Sequence, residues 1–297
     1  MSKPFVSFCL FTYNQEKFVI DALNGAVEQD YDNMEIIISD DCSNDSTPQL
    51  IQEFVNNYKG NHKIVVNINE HNMGIAAHVC KVLYEIAKGE IILVAAGDDI
   101  SQPARTSMTV EYFNRFPEIT SLSFLTQPVK TNLSMGTPYH LLTLLPHSYS
   151  IYNIDDYLRM NMGCFSGDSR ALRKSVIDAF PPISIAPAED YFLYLRSLMI
   201  GAIAYIREPI LLRRQHENNV SAMIPRRDRL KRNYEQFVFD INWALEHNYI
   251  TERIAKKLKK KTKRITKFSY WKVMKAIMYN KIKDNKLARK IYYKTRL

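Results

Sequence analysis

Asp98-Asp99 stands where a run of apolar residues ends, and the chemistry of the chain is most concentrated there. Ile91-Ile92-Leu93-Val94-Ala95 reads as a strand buried on both faces, which cannot carry a charge in its middle. Its carboxyl end differs, because open α/β sheets bind ligands in the crevice beyond the carboxyl ends of their strands. Adjacent carboxylates repel there unless a divalent cation or a ligand's hydroxyls neutralise them. Mg²⁺ or Mn²⁺, held by one or two carboxylates plus substrate phosphates, meets that need. The plain alternative is a strand-terminal turn leading into a capped helix, since Ser101 and Pro103 follow.

Polar residues recur at equivalent places. A strand over Phe5 to Phe11 runs into Thr12-Tyr13-Asn14, and one over Glu35 to Ser39 ends on Asp40-Asp41-Cys42-Ser43-Asn44-Asp45-Ser46-Thr47. Asn72-Met73-Gly74 turns the chain from a third strand, Ile64 to Ile68, into a helix with Ile75, Val79, Val82, Leu83 and Ile86 inward. Ala188-Glu189-Asp190 opens a helix through Met199 that ends at Gly201. Acids in a first helical turn are stabilised by the helix dipole, so capping is one reading of Glu189 and Asp190. Taken alone, His216 in Arg213-Arg214-Gln215-His216 reads as a surface histidine beside a basic strand end.

The elements that must position these residues follow from periodicity. Asn14 is expected to cap a helix whose Phe18, Val19, Ala22, Leu23, Ala26 and Val27 form one stripe, and Leu50, Ile51, Phe54, Val55 and Tyr58 form the next. Four strand-helix units with right-handed crossovers imply a Rossmann-like, mostly parallel sheet flanked by helices. Its carboxyl edge collects Thr12, Tyr13, Asn14, Asp40, Asp41, Asp98 and Asp99. No G-x-G-x-x-G or G-x-x-x-x-G-K-[ST] is present, so phosphate charge must be met by a metal or by basic side chains. Beyond this edge the pattern gives a helix from about Ser101 to Phe116 and a strand over Ser121 to Thr126. A long loop from Gln127 to Ser150 follows, of the kind used as lids or recognition segments. Met162 to Gly167 then leads into an amphipathic stretch over Ser169 to Phe180. Short strands at Ala202 to Ile206 and Ile210 to Leu212 precede a helical pattern from about Arg226 onward.

With 46% hydrophobic and 24% charged residues in 297, the chain can build one large domain or a domain with an appendage. Cys9, Cys42, Cys80 and Cys164 form no C-x-x-C pattern, so they read as reduced core thiols in a cytosolic setting, without a zinc site. Neither a secretory signal nor a membrane span is expected. The best apolar run, Leu198 to Ile206, falls short of the roughly 18 residues needed. Charge is unevenly placed. Residues 251–297 hold 18 Lys/Arg against Glu252 and Asp284, a net of +16, leaving −7 on the first 250 of the overall +9.

Taken in order, these motifs resemble the family-two glycosyltransferases, an inverting group with a GT-A fold. The likeness rests on Thr12-Tyr13-Asn14, Asp40 to Thr47, Asn72-x-Gly74, Gly97-Asp98-Asp99, Glu189-Asp190 and Arg214-x-His216 with Ser221 beyond, and covers residues 4–222. It implies a GT-A domain over 1–222, with a nucleotide-binding half to about 117 and an acceptor half from about 118, then a helical basic region over 223–297. It also implies a UDP-sugar donor contacted by Thr12, Tyr13, Asn14, Asp40 or Asp41, Asn72, Gly74, Asp98, Glu189, Arg214 and His216. Mn²⁺ or Mg²⁺ would be held by Asp99, with Asp98 on the ribose or in the metal shell, and Asp190 would be the catalytic base. A carboxylate suits that role, because inverting transfer removes the acceptor hydroxyl's proton as it attacks. Two departures stand out. Phe11 replaces the usual Pro before Thr-Tyr-Asn, and Ala96 replaces the first Asp of the D-x-D-D form of the metal motif. The Q-x-x-R-W signature of processive synthases is absent, so one sugar per acceptor is expected.

The tail interleaves Lys256-Lys257 and Lys259-Lys260-Lys261 with Phe268, Tyr270, Trp271, Met274 and Tyr279, which reads as an amphipathic helix on an anionic membrane face. A solvated helical cap, or a contact in a homo-oligomer, is the plainer reading. The expectation is thus a peripheral enzyme on the cytoplasmic face of the membrane, acting on a lipid-linked glycan of a surface polysaccharide such as an O-antigen. The rivals are a metal-dependent nucleotidyltransferase and a nucleic-acid binder working through the tail; the second would leave the acidic strand ends unexplained.

Overall fold

The structure, a computed structural model, describes residues 3–134, 148–159, 167–216 and 227–266. Ser221, Cys164, most of the long loop after Lys130 and the aromatic part of the tail lie outside them.

The amino-terminal half alternates strand and helix: β1 (Val6–Thr12), α1 (Val19–Val27), β2 (Met34–Asp40), α2 (Thr47–Asn57), β3 (Lys63–Ile68), α3 (Ile75–Lys81) with a π-helical turn at Val82–Ile86, and β4 (Ile91–Ala96). β2 is buried along its whole length, and β1 and β4 nearly so, which is why their sequences read as continuous apolar runs. β1 pairs in parallel with β2 and β4, and β2 with β3, so these four strands stand in the order β3-β2-β1-β4. The register puts Thr12 opposite Asp40 and Phe11 opposite Ala96, so three strands end together.

The second half adds β5 (Ile100–Ser101), α4 (Arg105–Arg115), β6 (Ile119–Lys130), β7 (Tyr149–Tyr152), α5 (Ile154–Arg159), β8 (Arg170–Arg173), α6 (Lys174–Asp178), α7 (Asp190–Ile200), β9 (Ala202–Gln215) and α8 (Arg227–Glu246). The sheet continues past β4 as β8-β6-β9-β5, with β7 also on β9. β8 runs antiparallel to both its neighbours, β6 and β9 are parallel, and β5 and β7 run against β9. The result is the expected mostly parallel α/β sheet flanked by helices, extended by an antiparallel margin.

Strand alternation divides the core in two. Cys9, Ile37, Ile92 and Val94 pack with α3, α6, α7 and α8 on one face, while Phe8, Leu10, Ile36, Ile38 and Leu93 pack with α1 and α4 on the other. Cys9, Cys42 and Cys80 are free thiols; burial pushes Cys80 up to about 11 and Cys9 higher still, which makes both poor nucleophiles.

Four local expectations are corrected. Asn14 does not cap a helix: it takes a left-handed φ of 52°, and α1 begins only after Phe18, which has no side-chain cap. Its side chain instead accepts the Asn44 N–H at 2.8 Å and its own N–H donates to Ser43 Oγ, stitching the loops after β1 and β2 together. The two strands over 202–212 are one, because Arg207 and Glu208 fill a bulge where Ile206 faces Phe124 and Pro209 faces Leu125. The stretch from Ser169 opens with β8, inserted between β4 and β6. The helix expected from Ser101 starts at Arg105, since Ile100 and Ser101 pair with Leu212 and Leu211.

α8 joins the main core. Arg196 on α7 makes two hydrogen bonds with Asp240, at 2.9 and 2.7 Å, and neither side chain has any exposed surface. The same guanidinium donates to Pro181 O and Tyr84 Oη. Residues 252–266 are helical and bury Ala255, Leu258 and Thr262, with Lys261 over the Tyr157 ring. Asp240→Ala strands a buried cation and is expected to lower the unfolding free energy by about 3–5 kcal/mol in urea titrations. Arg196→Met with Asp240→Leu, which removes both charges, should recover most of that loss.

Candidate active site

The loops after β1 and β2 form one hydrogen-bonded unit. Asp40 has no exposed surface; its carboxylate accepts Thr12 Oγ1 at 2.8 Å, Ser43 Oγ at 2.6 Å and the Ser43 N–H at 2.8 Å. Asp41 receives Asn69 Nδ2 and the Met73 N–H on Oδ1, and the Gly74 N–H on Oδ2. Gly74 sits at φ 77°, a conformation that suits glycine, and Asn72 Oδ1 also receives its N–H. Both acids therefore fix loops. A carboxylate offers about four lone-pair positions. By that count each acid keeps one position, on Oδ2 of Asp41 and on Oδ1 of Asp40, but Asp40 has no exposed surface whereas Asp41 has 4%. Tyr13, by contrast, is 44% exposed at the lip of the crevice.

The turn after β4 separates the two acids expected to hold a metal. Asp99 is buried and its Oδ1 accepts the Arg214 N–H at 2.9 Å. Burial, then the fields of Asp98 and Asp168, push its carboxyl well above the ordinary carboxylate range. Asp98 faces the other way, with Oδ2 2.8 Å from His216 Nε2. Arg214 places its guanidinium 2.7 Å from Asp21 and over the Phe18 ring, against which the His216 ring also rests.

Beneath this turn lies Arg105, fully buried. It donates to Val94 O at 2.6 Å, Ser101 Oγ at 2.8 Å and Asp168 O at 3.1 Å, with its guanidinium over Phe8. Burial pulls it down to about 10 against the opposing fields of Asp168 and Asp99. Asp168 forms a 3.1 Å ion pair with Arg213 whose geometry falls short of a hydrogen bond.

Glu189 and Asp190 differ sharply. Asp190, in the first turn of α7, has a side chain 47% exposed, with Oδ1 3.6 Å from the guanidinium of buried Arg170. It lies so close to Gly167 that a Cβ there would fall 1.8 Å from Oδ1. Glu189 precedes it with its carboxyl enclosed; burial, then the charge of Asp190, push it up to about 8.

A family model described as Glycosyl transferase family 2 matches residues 7–180, more than half of the chain and every strand of the parallel core. The chain belongs to glycosyl transferase family 2. An uncharacterized protein of Mycobacterium bovis is 29% identical over 217 residues, 72% of this chain and 60% of its own length, so the chain spans under two thirds of that relative. The poly(ribitol-phosphate) beta-N-acetylglucosaminyltransferase TarS of Staphylococcus aureus is 32% identical over 90 residues, 30% of this chain and 15% of that protein. Its crystal structure in complex with UDP-GlcNAc overlays with a TM-score of 0.64 at 18% identity, covering 86% of this chain and 70% of that one. The mannosyltransferase PcManGT from Pyrobaculum calidifontis, in complex with GDP-Man and Mn²⁺, overlays at 0.58 with 15% identity, covering 99% and 80%. These overlays establish the GT-A fold expected of a family-two chain.

Of the residues singled out from the family-two motifs, Thr12, Asp40 and Asp41 form one connected unit, and Asp98, Asp99, Arg214 and His216 a second. Asp168, Arg105 and Arg170 were missed. Four-residue β8 carries Arg at both ends and hides the Gly167-Asp168 turn in front of it, while the two arginines look like surface residues in sequence. Among the described residues no three His, Cys, Asp or Glu side chains converge on one point. The donor set for a divalent cation is therefore small, Asp98 with His216, and fits an ion that takes its remaining ligands from phosphates and water. The apolar groove lined by Ile20, Val27, Leu50, Phe54 and Tyr58 involves none of these residues.

A raised carboxyl couples folding to pH. Glu189 titrates near 4.3 when unfolded and about 8 when folded, so its contribution to stability is complete below the first value and is lost as pH rises through the second. Thermal melts of Glu189→Gln should match wild type near pH 4, pull ahead steadily from pH 5 to 8, and keep a constant lead above that.

Proposed function

We propose that the chain transfers a single sugar from a UDP-sugar to a hydroxyl of a glycan acceptor with inversion, using Asp190 as base. The observation that carries this reading is the Gly167-Asp168 turn. Asp190 rests on Gly167 while the next residue, Asp168, lies in the field of Asp99, so the exposed carboxylate and the acidic turn after β4 share one edge. That is the juxtaposition a displacement needs, with the leaving diphosphate on one side and a proton acceptor on the other.

The donor site has a physical division of labour. The exposed Tyr13 ring offers a face for uracil, and Asp41 Oδ2, with one lone pair left, can accept the base's N–H. Uridine is the base in the TarS complex with UDP-GlcNAc, whereas the PcManGT complex holds GDP-Man, so the uridine reading rests on the Tyr13 and Asp41 groups and on the TarS relationship. Asp98 and His216 would hold Mn²⁺ or Mg²⁺, which supplies charge neutralisation for the diphosphate when bound. Asp99, buried, anchors the turn to β9 through the Arg214 N–H. Asp190 takes the proton from the attacking hydroxyl as the new glycosidic bond forms and the bond to the diphosphate breaks; the nucleoside diphosphate leaves without needing a proton.

The acceptor reading is lipid-linked glycan, presented where the enzyme meets the cytoplasmic leaflet. Support comes from the exposed Arg253, Lys256, Lys257, Lys260, Lys263 and Arg264 on the helix over 252–266, each worth about 1 kcal/mol near an anionic surface. No helix among the described residues is long and apolar enough to cross a membrane.

Calorimetric titration with UDP should give Mn²⁺-dependent binding that Asp98→Ala abolishes. Asp190→Asn should bind UDP within about twofold of wild type and lose sugar transfer by a factor of about 10² or more. Loss of UDP binding in Asp190→Asn would place that residue in the donor site, and release of pyrophosphate from the donor in place of UDP would indicate nucleotidyl transfer.

A further inference from the structure

Glu189 is an odd residue to bury. Its side chain is enclosed at the start of α7, 7% of the residue is exposed, and Oε2 has no hydrogen-bond partner. Among the described residues, the charged and titratable groups that face it are Asp190 on its own helix, Arg170 on β8 and the Cys80 thiol on α3. Only one of these is a cation, and that cation already lies 3.6 Å from Asp190 Oδ1. One guanidinium cannot compensate two adjacent carboxylates in an apolar enclosure. The single negative charge is cheapest on the half-exposed Asp190, where water also solvates it.

We propose that Glu189 is a positioning residue for the base: it remains a neutral carboxylic acid during turnover and holds the Asp190 carboxylate toward the acceptor hydroxyl, with Arg170 steadying the other side. The proposal rests on the transferase reading in its second half only, since the protonation of Glu189 is a property of the free protein. No proton passes through Glu189. The acceptor's proton ends on Asp190, and Glu189 keeps its own. Burial and the neighbouring charge, which push the Glu189 carboxyl up to about 8, also predict where the arrangement fails. Above that pH a second negative charge faces Asp190, competes for Arg170 and turns the base away from its working position.

Two measurements decide the proposal, both on the full chain. In the first, the protein is labelled with ¹³C at glutamate side-chain carboxyls and titrated by NMR, and the Glu189 resonance is assigned by its disappearance in Glu189→Gln. A midpoint well above the ordinary glutamate range, moving down in Asp190→Asn, supports the neutral acid; an ordinary midpoint overturns it. In the second, UDP release is followed from UDP-glucose, UDP-galactose and their N-acetyl forms with Mn²⁺ between pH 6 and 10. Glu189→Gln, which keeps a neutral donor, should retain the wild-type rate within about twofold at pH 7 and lose the alkaline decline. Glu189→Ala should lose about tenfold or more in kcat with little change in KM. Equal losses in Gln and Ala, or an alkaline limb that survives in Gln, overturn the positioning role. No UDP release from any donor by wild type would count against the transferase reading, and the NMR midpoint would still decide the state of Glu189.

Discussion

A single cation with no exposed surface organises the acidic end of this sheet. Arg105 reaches from the start of α4 to the carbonyl of Val94 in β4, the hydroxyl of Ser101 in β5 and the carbonyl of Asp168 before β8, so it joins the parallel half to the antiparallel margin. It also supplies positive charge beneath Asp99 and Asp168, which would otherwise repel each other in a low-dielectric setting. An arginine suits this place because its planar fork bonds several acceptors at once and stays charged even when desolvated. That charge acts together with the Asp99 bond to the Arg214 N–H and the Asp98 contact with His216, which tie the same turn to β9.

The acids at the edge then sort by exposure. Asp40 and Asp41 each accept three hydrogen bonds from the loops after β1, β2 and β3, and Asp99 accepts the Arg214 N–H of β9. Asp98 lies 2.8 Å from His216 Nε2, and the half-exposed Asp190 lies 3.6 Å from the Arg170 guanidinium. Structural and chemical roles thus fall to neighbouring residues of the same type, and burial distinguishes them. The pairs Asp40-Asp41, Asp98-Asp99 and Glu189-Asp190 divide their work differently: in the first the two acids anchor different loops, in the second Asp99 is buried on β9 while Asp98, 13% exposed, holds His216, and in the third Glu189 is enclosed while Asp190 is 47% exposed.

The parallel half was readable from sequence because strands buried on both faces are apolar throughout, and helices packed on a sheet keep a 3.6-residue stripe. The acids at the strand ends were readable for the same reason, being the first polar residues after each run. The antiparallel margin was not. β8 has only four residues with arginines at both ends, and β9 is interrupted by the Arg207-Glu208 bulge, so neither shows a clean two-residue alternation. Asn14 misled because a cap and a left-handed loop residue share the same preference for Asn. Arg105 and Arg170 were invisible because nothing local in a sequence distinguishes an arginine that will be buried by distant strands from one left in water.

The most direct test is a crystal structure of the protein with UDP and Mn²⁺, with the metal located by anomalous scattering. The expected result is a manganese peak coordinated by Asp98 and His216, uracil against Tyr13 with its N–H on Asp41, and Asp190 open to solvent across from the diphosphate. A nucleotide bound away from this edge, or manganese held by Asp99 with Asp98 turned inward, would contradict the division between enclosed and exposed acids on which the proposed chemistry depends.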